Sequence, residues 1–143
     1  MSENTKLTRH ACRELIFKLL FAKDFDREAD AEAFYENYLA VTEEPTADYV
    51  RQVFCGVCAT LDELDREIEE TSVKWKLSRM STATRSVLRM AVYEMTACEV
   101  PPKAEINEAL ELIKRYDEDS APAFVNGILN KIARNRGLIA DAE

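Results

Sequence analysis

The sequence predicts an all-α protein, a compact helical bundle formed by one domain over residues 1–143. Apolar residues recur at i, i+3, i+4 and i+7 along nearly the whole chain, the period of helices with one buried face. Glycine and proline, which interrupt helices, number only three and four. No stretch shows the apolar–polar alternation of a half-buried strand. The hydrophobic fraction of 47% is enough for a core at this length without disulfide or metal staples.

The elements follow in order. Thr8 suits the N-cap of a first helix running to about Lys23, with Cys12, Leu15, Ile16 and Leu19 on one stripe. A second helix spans about Asp30 to Val41, with Phe34, Tyr38 and Val41 inward, and Glu43-Glu44-Pro45 ends it. Thr46 is the expected cap of a third helix with Tyr49, Val50, Val53, Phe54, Val57 and Cys58 on one broad face. Its periodicity continues through Leu61, Leu64 and Ile68 to about Thr71, either unbroken or with a break near Thr60. Trp75 and Leu77 fall in a short connector. Ser81 caps the next helix, which runs to about Cys98 and buries Val87, Leu88, Ala91, Val92 and Met95. Pro101-Pro102 stops it, since neither proline donates a backbone hydrogen bond. A fifth helix covers about Ala104 to Tyr116, with Ile106, Ala109, Leu110 and Ile113 inward. Ser120 and Pro122 suit the cap and first turn of a last helix, Ala121 to about Asn135, closed by Gly137.

No segment approaches ~18 consecutive apolar residues, and Met1 to Thr8 lack the apolar stretch of a signal peptide. The expectation is a cytoplasmic protein with no membrane partner and with Cys12, Cys55, Cys58 and Cys98 as reduced thiols. A net charge of −8 argues against a nucleic-acid binder. The uneven distribution of that charge weakens the exclusion. Residues 1–23 carry five basic and two acidic side chains, residues 24–72 three and fifteen, and residues 73–90 five and none. This leaves room for a local anion site and an acidic face for a basic partner.

Enzymatic chemistry finds little support. His10 is the only histidine, and no serine or cysteine pattern makes it a catalytic base. It reads either as an exposed helix residue or as a nucleic-acid contact. No glycine-rich loop exists to cradle a phosphate. Cys55-Gly56-Val57-Cys58 is a C-x-x-C, but it falls inside the third helix rather than at a helix N-terminus, where thiols are activated. A zinc site would require Cys12 and Cys98 to converge on it. No catalytic residue, cofactor or metal is predicted. The first helix is more suggestive: Arg9 and Arg13 lie one turn apart, with Phe17 and Phe21 following at i+4 steps. Interleaved cations and rings suit single-stranded nucleic acid, although the same phenylalanines equally suit packing on a second helix layer.

The C-terminal half narrows the reading. Leu88-Arg89-Met90-Ala91-Val92-Tyr93-Glu94, Val100-Pro101, Ile106-Asn107-Glu108-Ala109 and Phe124-Val125-Asn126-Gly127-Ile128-Leu129 occur in an order and spacing that resemble the NusB signature. Trp75 with Arg79 upstream, and Arg13-Glu14 with the apolar run to Leu20 and Phe21, are similar to the family as well. The resemblance covers essentially the whole chain.

It implies an all-α fold of two packed helical subdomains, without catalysis or cofactor. It implies binding of a boxA-type single-stranded RNA together with NusE, a small-subunit ribosomal protein, in an RNA polymerase complex resistant to termination, notably on ribosomal RNA operons. A homodimer is a further option. Carried onto this sequence, Arg9, His10 and Arg13 match the family's arginine-rich RNA-binding start, and Ser120 and Phe124 match the start of the last helix beside it. Phe124 stacks on a base or belongs to the core, and Asn107 and Asn126 satisfy buried backbone groups. Ala11 and Cys12 interrupt the arginine run that many relatives carry more densely, so weaker electrostatics should increase reliance on the protein partner. The competing class is a protein–protein adaptor or homodimer with little RNA affinity. The helical domain fused to RNA cytosine methyltransferases is disfavoured because the sequence ends at Glu143 without a nucleotide-binding domain.

Overall fold

Local side-chain caps set the starts of three of the seven α-helices among the described residues. The computed structural model describes residues 7–72 and 75–140. In α1 (Arg9–Lys23) the Thr8 hydroxyl accepts the Ala11 N–H at 3.0 Å. In α2 (Ala31–Thr42) Asp30 does the same for Ala33. Then come α3 (Asp48–Ala59), α4 (Leu61–Thr71), a 3-10 turn (Leu77–Arg79), α5 (Thr82–Thr96), α6 (Pro102–Tyr116) and α7 (Ala121–Asn135), with no strand among the described residues. Ser81 caps α5 by accepting the Thr84 N–H at 3.0 Å. Gly137, at φ 73°, lets its own N–H reach the Arg134 carbonyl and that of Leu138 reach Ala133, closing α7 in a Schellman motif.

Of the two forms the sequence leaves open for the third helix, the broken one is found: the Thr60 backbone leaves the helical region and its hydroxyl donates to the Gly56 carbonyl at 2.8 Å. Other sequence expectations are corrected. Thr46 is not the cap of α3. Ala47 holds that position, and the Thr46 hydroxyl instead pairs with that of Tyr35 at 2.8 Å. Helix α6 starts at Pro102 rather than Ala104, because a first-turn N–H has no intrahelical partner and proline loses nothing there. Ser120 makes no side-chain cap on α7. Its backbone is already helical, which turns the hydroxyl away from the first-turn N–H groups. On α2 the buried residue is Tyr35, while Val41 is 74% exposed.

Helix α5 lies at the centre, touching α1 and α3 on one side and α4, α6 and α7 on the other. Helices α1–α3 and the α4, α6, α7 group thus meet across it, and the buried apolar residues form one continuous cluster. A helix enclosed this way must bury residues all round, so Ser86, Arg89 and Glu94 are enclosed with Val87, Leu88 and Met90. The charged ones need partners from other helices.

The C-x-x-C segment has a packing role. A Cβ on Gly56 would lie 2.0 Å from the Tyr93 hydroxyl and 2.3 Å from its ring carbon Cζ. Gly56→Ala should therefore push Tyr93 aside and cost about 1–3 kcal/mol by overpacking. Urea denaturation tests this; an unchanged midpoint would show that Tyr93 swings out freely.

Candidate nucleic-acid interface

The start of α1 supplies an exposed cation. Arg9 sits over the Tyr49 ring with its guanidinium carbon 4.2 Å from the centroid. His10 is exposed, and its Nδ1 lies 3.0 Å from a Glu108 carboxylate oxygen. Arg13 departs from the sequence expectation. It is 6% exposed, and its Nε donates to Glu94 and its Nη2 to Glu105, each at 3.0 Å. Its Nη1 is 4.0 Å from Glu108. With Arg13 enclosed and its Nε and Nη2 held by buried carboxylates, the geometry favours an anchoring role over a direct phosphate contact. Tyr49 donates its hydroxyl to Glu94, so the ring beneath Arg9 is tied to the same buried cluster.

That cluster holds more acid than base. Glu94 and Glu105 are both fully buried around Arg13. Burial first, and the adjacent Glu94 second, raise the Glu105 carboxyl well above the usual carboxylate range despite the pull of Arg13. Burial, then the two glutamates acting against it, leave Arg13 with its charge more firmly held than usual. A raised folded pKa gives stability that is fully present below the unfolded value near 4.5 and is lost as pH rises through the folded one. Glu105→Gln should therefore gain on the parent as pH rises from about 5 to about 9. A stability difference that stays constant across that range would mean that Glu105 ionises normally.

The second predicted patch lies elsewhere. Asp117, just beyond α6, accepts from the hydroxyls of Ser81 and Thr84 and places Ser120 near the start of α5. Arg13 and Glu94 lie near its other end, and the helix from Thr84 to Glu94 spans about 15 Å at ~1.5 Å per residue. The structure thus brings Arg9 and His10 together, and Ser120 and Phe124 together, but does not merge the two pairs. Ser120 is exposed; Phe124 is half-buried and lines a cleft of about 540 Å³ with Trp75 and Arg79. Of the first-helix rings, Phe17 is core at 2% exposure, packed 4.8 Å from Tyr116, while Phe21 is 37% exposed.

Tyr49, Trp75 and Arg79 do not stand out as site residues in the sequence. Tyr49 reads there as one more position on an apolar face, and only its hydroxyl hints at a buried acceptor. An isolated tryptophan beside a basic segment is the available signal for the cleft. Asn107 and Asn126 are exposed rather than buried, and Asn126 accepts a 2.9 Å hydrogen bond from Asn130. Cys55 and Cys58 lie within α3, and burial first and Glu32 second push the Cys55 thiol up to about 11, the reverse of a reactive thiolate.

The sequence profile of the NusB family matches residues 10–134. The transcription antitermination protein NusB of Clostridium novyi is 36% identical over 132 residues, covering 90% of this chain and 99% of that protein. The T. maritima NusB structure is 33% identical with a TM-score of 0.76, covering 91% of this chain and 93% of the other. A chain in a crystal structure of the antitermination factors NusB and NusE with double-stranded RNA has a TM-score of 0.78 at 22% identity, covering 89% and 96%. At that identity the last match speaks for the fold. The relatives are antitermination proteins, not enzymes. With a match over most of its length in sequence and in helical architecture, the chain belongs to the NusB family.

Proposed function

We propose that this protein is a transcription antitermination factor that binds a boxA-type single-stranded RNA together with NusE, within an RNA polymerase complex, and so supports ribosomal RNA transcription in the cytoplasm. The observation that carries it is Arg9, an exposed cation set on the Tyr49 ring at the start of α1. His10 beside it, and Ser120 and Phe124 at the start of α7, complete the RNA surface, with Arg13 anchoring the helix from beneath. The name of the Clostridium novyi relative and the RNA and NusE in the structure of a distant fold neighbour support this reading. Among the described residues no helix is long and apolar enough to cross a membrane.

Each phosphate contact with a single strand releases counterions, so Arg9→Ala should lower the log–log salt slope of RNA binding by about 0.7. Anisotropy titrations across a salt series, with NusE present, read this directly. An unchanged slope and affinity would place the RNA surface elsewhere. One observation favours a second reading, an adaptor or homodimer with little RNA affinity: burial of Arg13 removes one cation, and Glu108 competes for His10. The same thinness makes NusE necessary for tight RNA binding in the first reading. RNA affinity that stays negligible even with NusE would select the adaptor.

A further inference from the structure

We propose that Tyr49 is a positioning residue: its ring, fixed from inside by Glu94, holds the Arg9 guanidinium in place for a phosphate without itself touching the RNA. The proposal rests on the RNA-binding reading above and adds to it a residue outside the RNA surface.

This tyrosine stands the opposite way from most. A half-buried tyrosine usually buries its ring and keeps its hydroxyl in water. Here the hydroxyl turns inward and donates to Glu94, which is fully buried on α5. The ring is left under Arg9, whose guanidinium carbon lies 4.2 Å from its centroid. Packing alone does not require this arrangement. A leucine in the first turn of α3 would bury apolar area there without drawing on a buried acid.

The anchor is itself held. Glu94 takes the Tyr49 hydroxyl on one oxygen and the Arg13 Nε on the other, the latter at 3.0 Å. Arg13 also holds Glu105 of α6 at 3.0 Å, and the second oxygen of Glu105 has no hydrogen-bond partner among the described residues. Four helices, α1, α3, α5 and α6, thus meet behind one ring. Burial first, and the bond to Glu94 second, push the Tyr49 hydroxyl up, so it remains a donor at neutral pH.

The benefit to Arg9 is one of entropy and geometry. The Thr8 cap fixes the backbone at the start of α1. An exposed arginine side chain still samples many rotamers, and that freedom is lost when it meets a phosphate. A ring beneath the cation narrows the set beforehand, which lowers the cost of binding. The contact is made through the ring face, so it takes up none of the N–H donors that a phosphate uses. Arg9 also covers that face and closes it to a base.

The test is a double-mutant cycle on the full-length protein with NusE present, read by the anisotropy of a labelled boxA-like oligoribonucleotide. Tyr49→Leu removes the ring, and Tyr49→Phe removes only the hydroxyl and keeps the core filled should leucine unfold the protein. Tyr49→Leu should weaken RNA binding about three- to fivefold, and Tyr49→Phe by less. Neither should have a further effect once Arg9→Ala is in place. A second measurement needs no RNA. The Tyr49 ring current should move the Arg9 Hδ proton resonances upfield in the parent and not in Tyr49→Leu, with the signals assigned by their loss in Arg9→Ala.

Losses that persist in full in the Arg9→Ala background would make Tyr49 a direct RNA contact or a merely structural residue, and overturn the positioning role. An Arg9 resonance without the upfield shift overturns it as well. If Arg9→Ala weakens binding and neither Tyr49 variant does, the positioning role falls and the proposed function stands. If Arg9→Ala leaves binding unchanged, both fall.

Discussion

Arg13→Ala is expected to cost about 3–5 kcal/mol of stability, the usual loss when one partner of a buried ion pair is removed. Arg13 is the one cation between two fully buried glutamates, and it holds both at 3.0 Å. Without it, the fully buried Glu94 loses its charge partner, and a buried charge left unpaired costs free energy. Arg13→Lys keeps a charge but not the fork that reaches two carboxylates, so it should fall between. The comparison with Arg9→Ala separates anchoring from contact. Under conditions where Arg13→Ala is still folded, the salt slope of RNA binding should stay at the parent value, whereas Arg9→Ala should lower it while leaving the urea midpoint nearly unchanged. A stable Arg13→Ala with a reduced slope would return this residue to the RNA surface.

Arg89→Ala should be comparably destabilising, by about 3–5 kcal/mol, because it too removes one partner of a buried ion pair, here at the middle of α5. Its side chain is 3% exposed. It grips Asp65 of α4 through two nitrogens, at 2.7 and 2.9 Å, and Asp24 at the end of α1 at 3.0 Å. Arg85 supports Asp24 from the next turn of α5 at 2.6 Å. Burial pushes the Asp24 carboxyl up, but the hydrogen bonds and charges of Arg85 and Arg89 outweigh it and hold Asp24 below the usual range. A depressed folded pKa gives stability that is present above the unfolded value near 3.8 and is lost as pH falls through the folded one. The variant should therefore show both a lower urea midpoint at neutral pH and a shallower loss in acid. Arg89→Lys, which cannot hold Asp65 with two parallel bonds, should recover only part of the difference. A variant as stable as the parent would mean that desolvation cancels the whole network.

Helix positions and most helix faces follow from local residue patterns. The starts of α1, α2 and α5 were legible because Thr8, Asp30 and Ser81 cap within a few residues of themselves. The stripes through Leu15, Val53 and Ile113 were legible because a helix repeats every 3.6 residues. Motif order likewise pointed to the family. Where the charges go depends on how the helices pack. Arg9 and Arg13 are equivalent in a list of cations one turn apart, yet one lies on the surface over Tyr49 and the other in the core. The partners that bury Arg13 stand at positions 94 and 105, on helices that no local rule brings to α1. Likewise Trp75 and Phe124 share a cleft only because α4, the 3-10 turn and α7 meet. Hydrophobic periodicity is a local record of which side faces inward. The burial of a charge depends on whether distant residues arrive to pair with it, and that is fixed only when the helices pack.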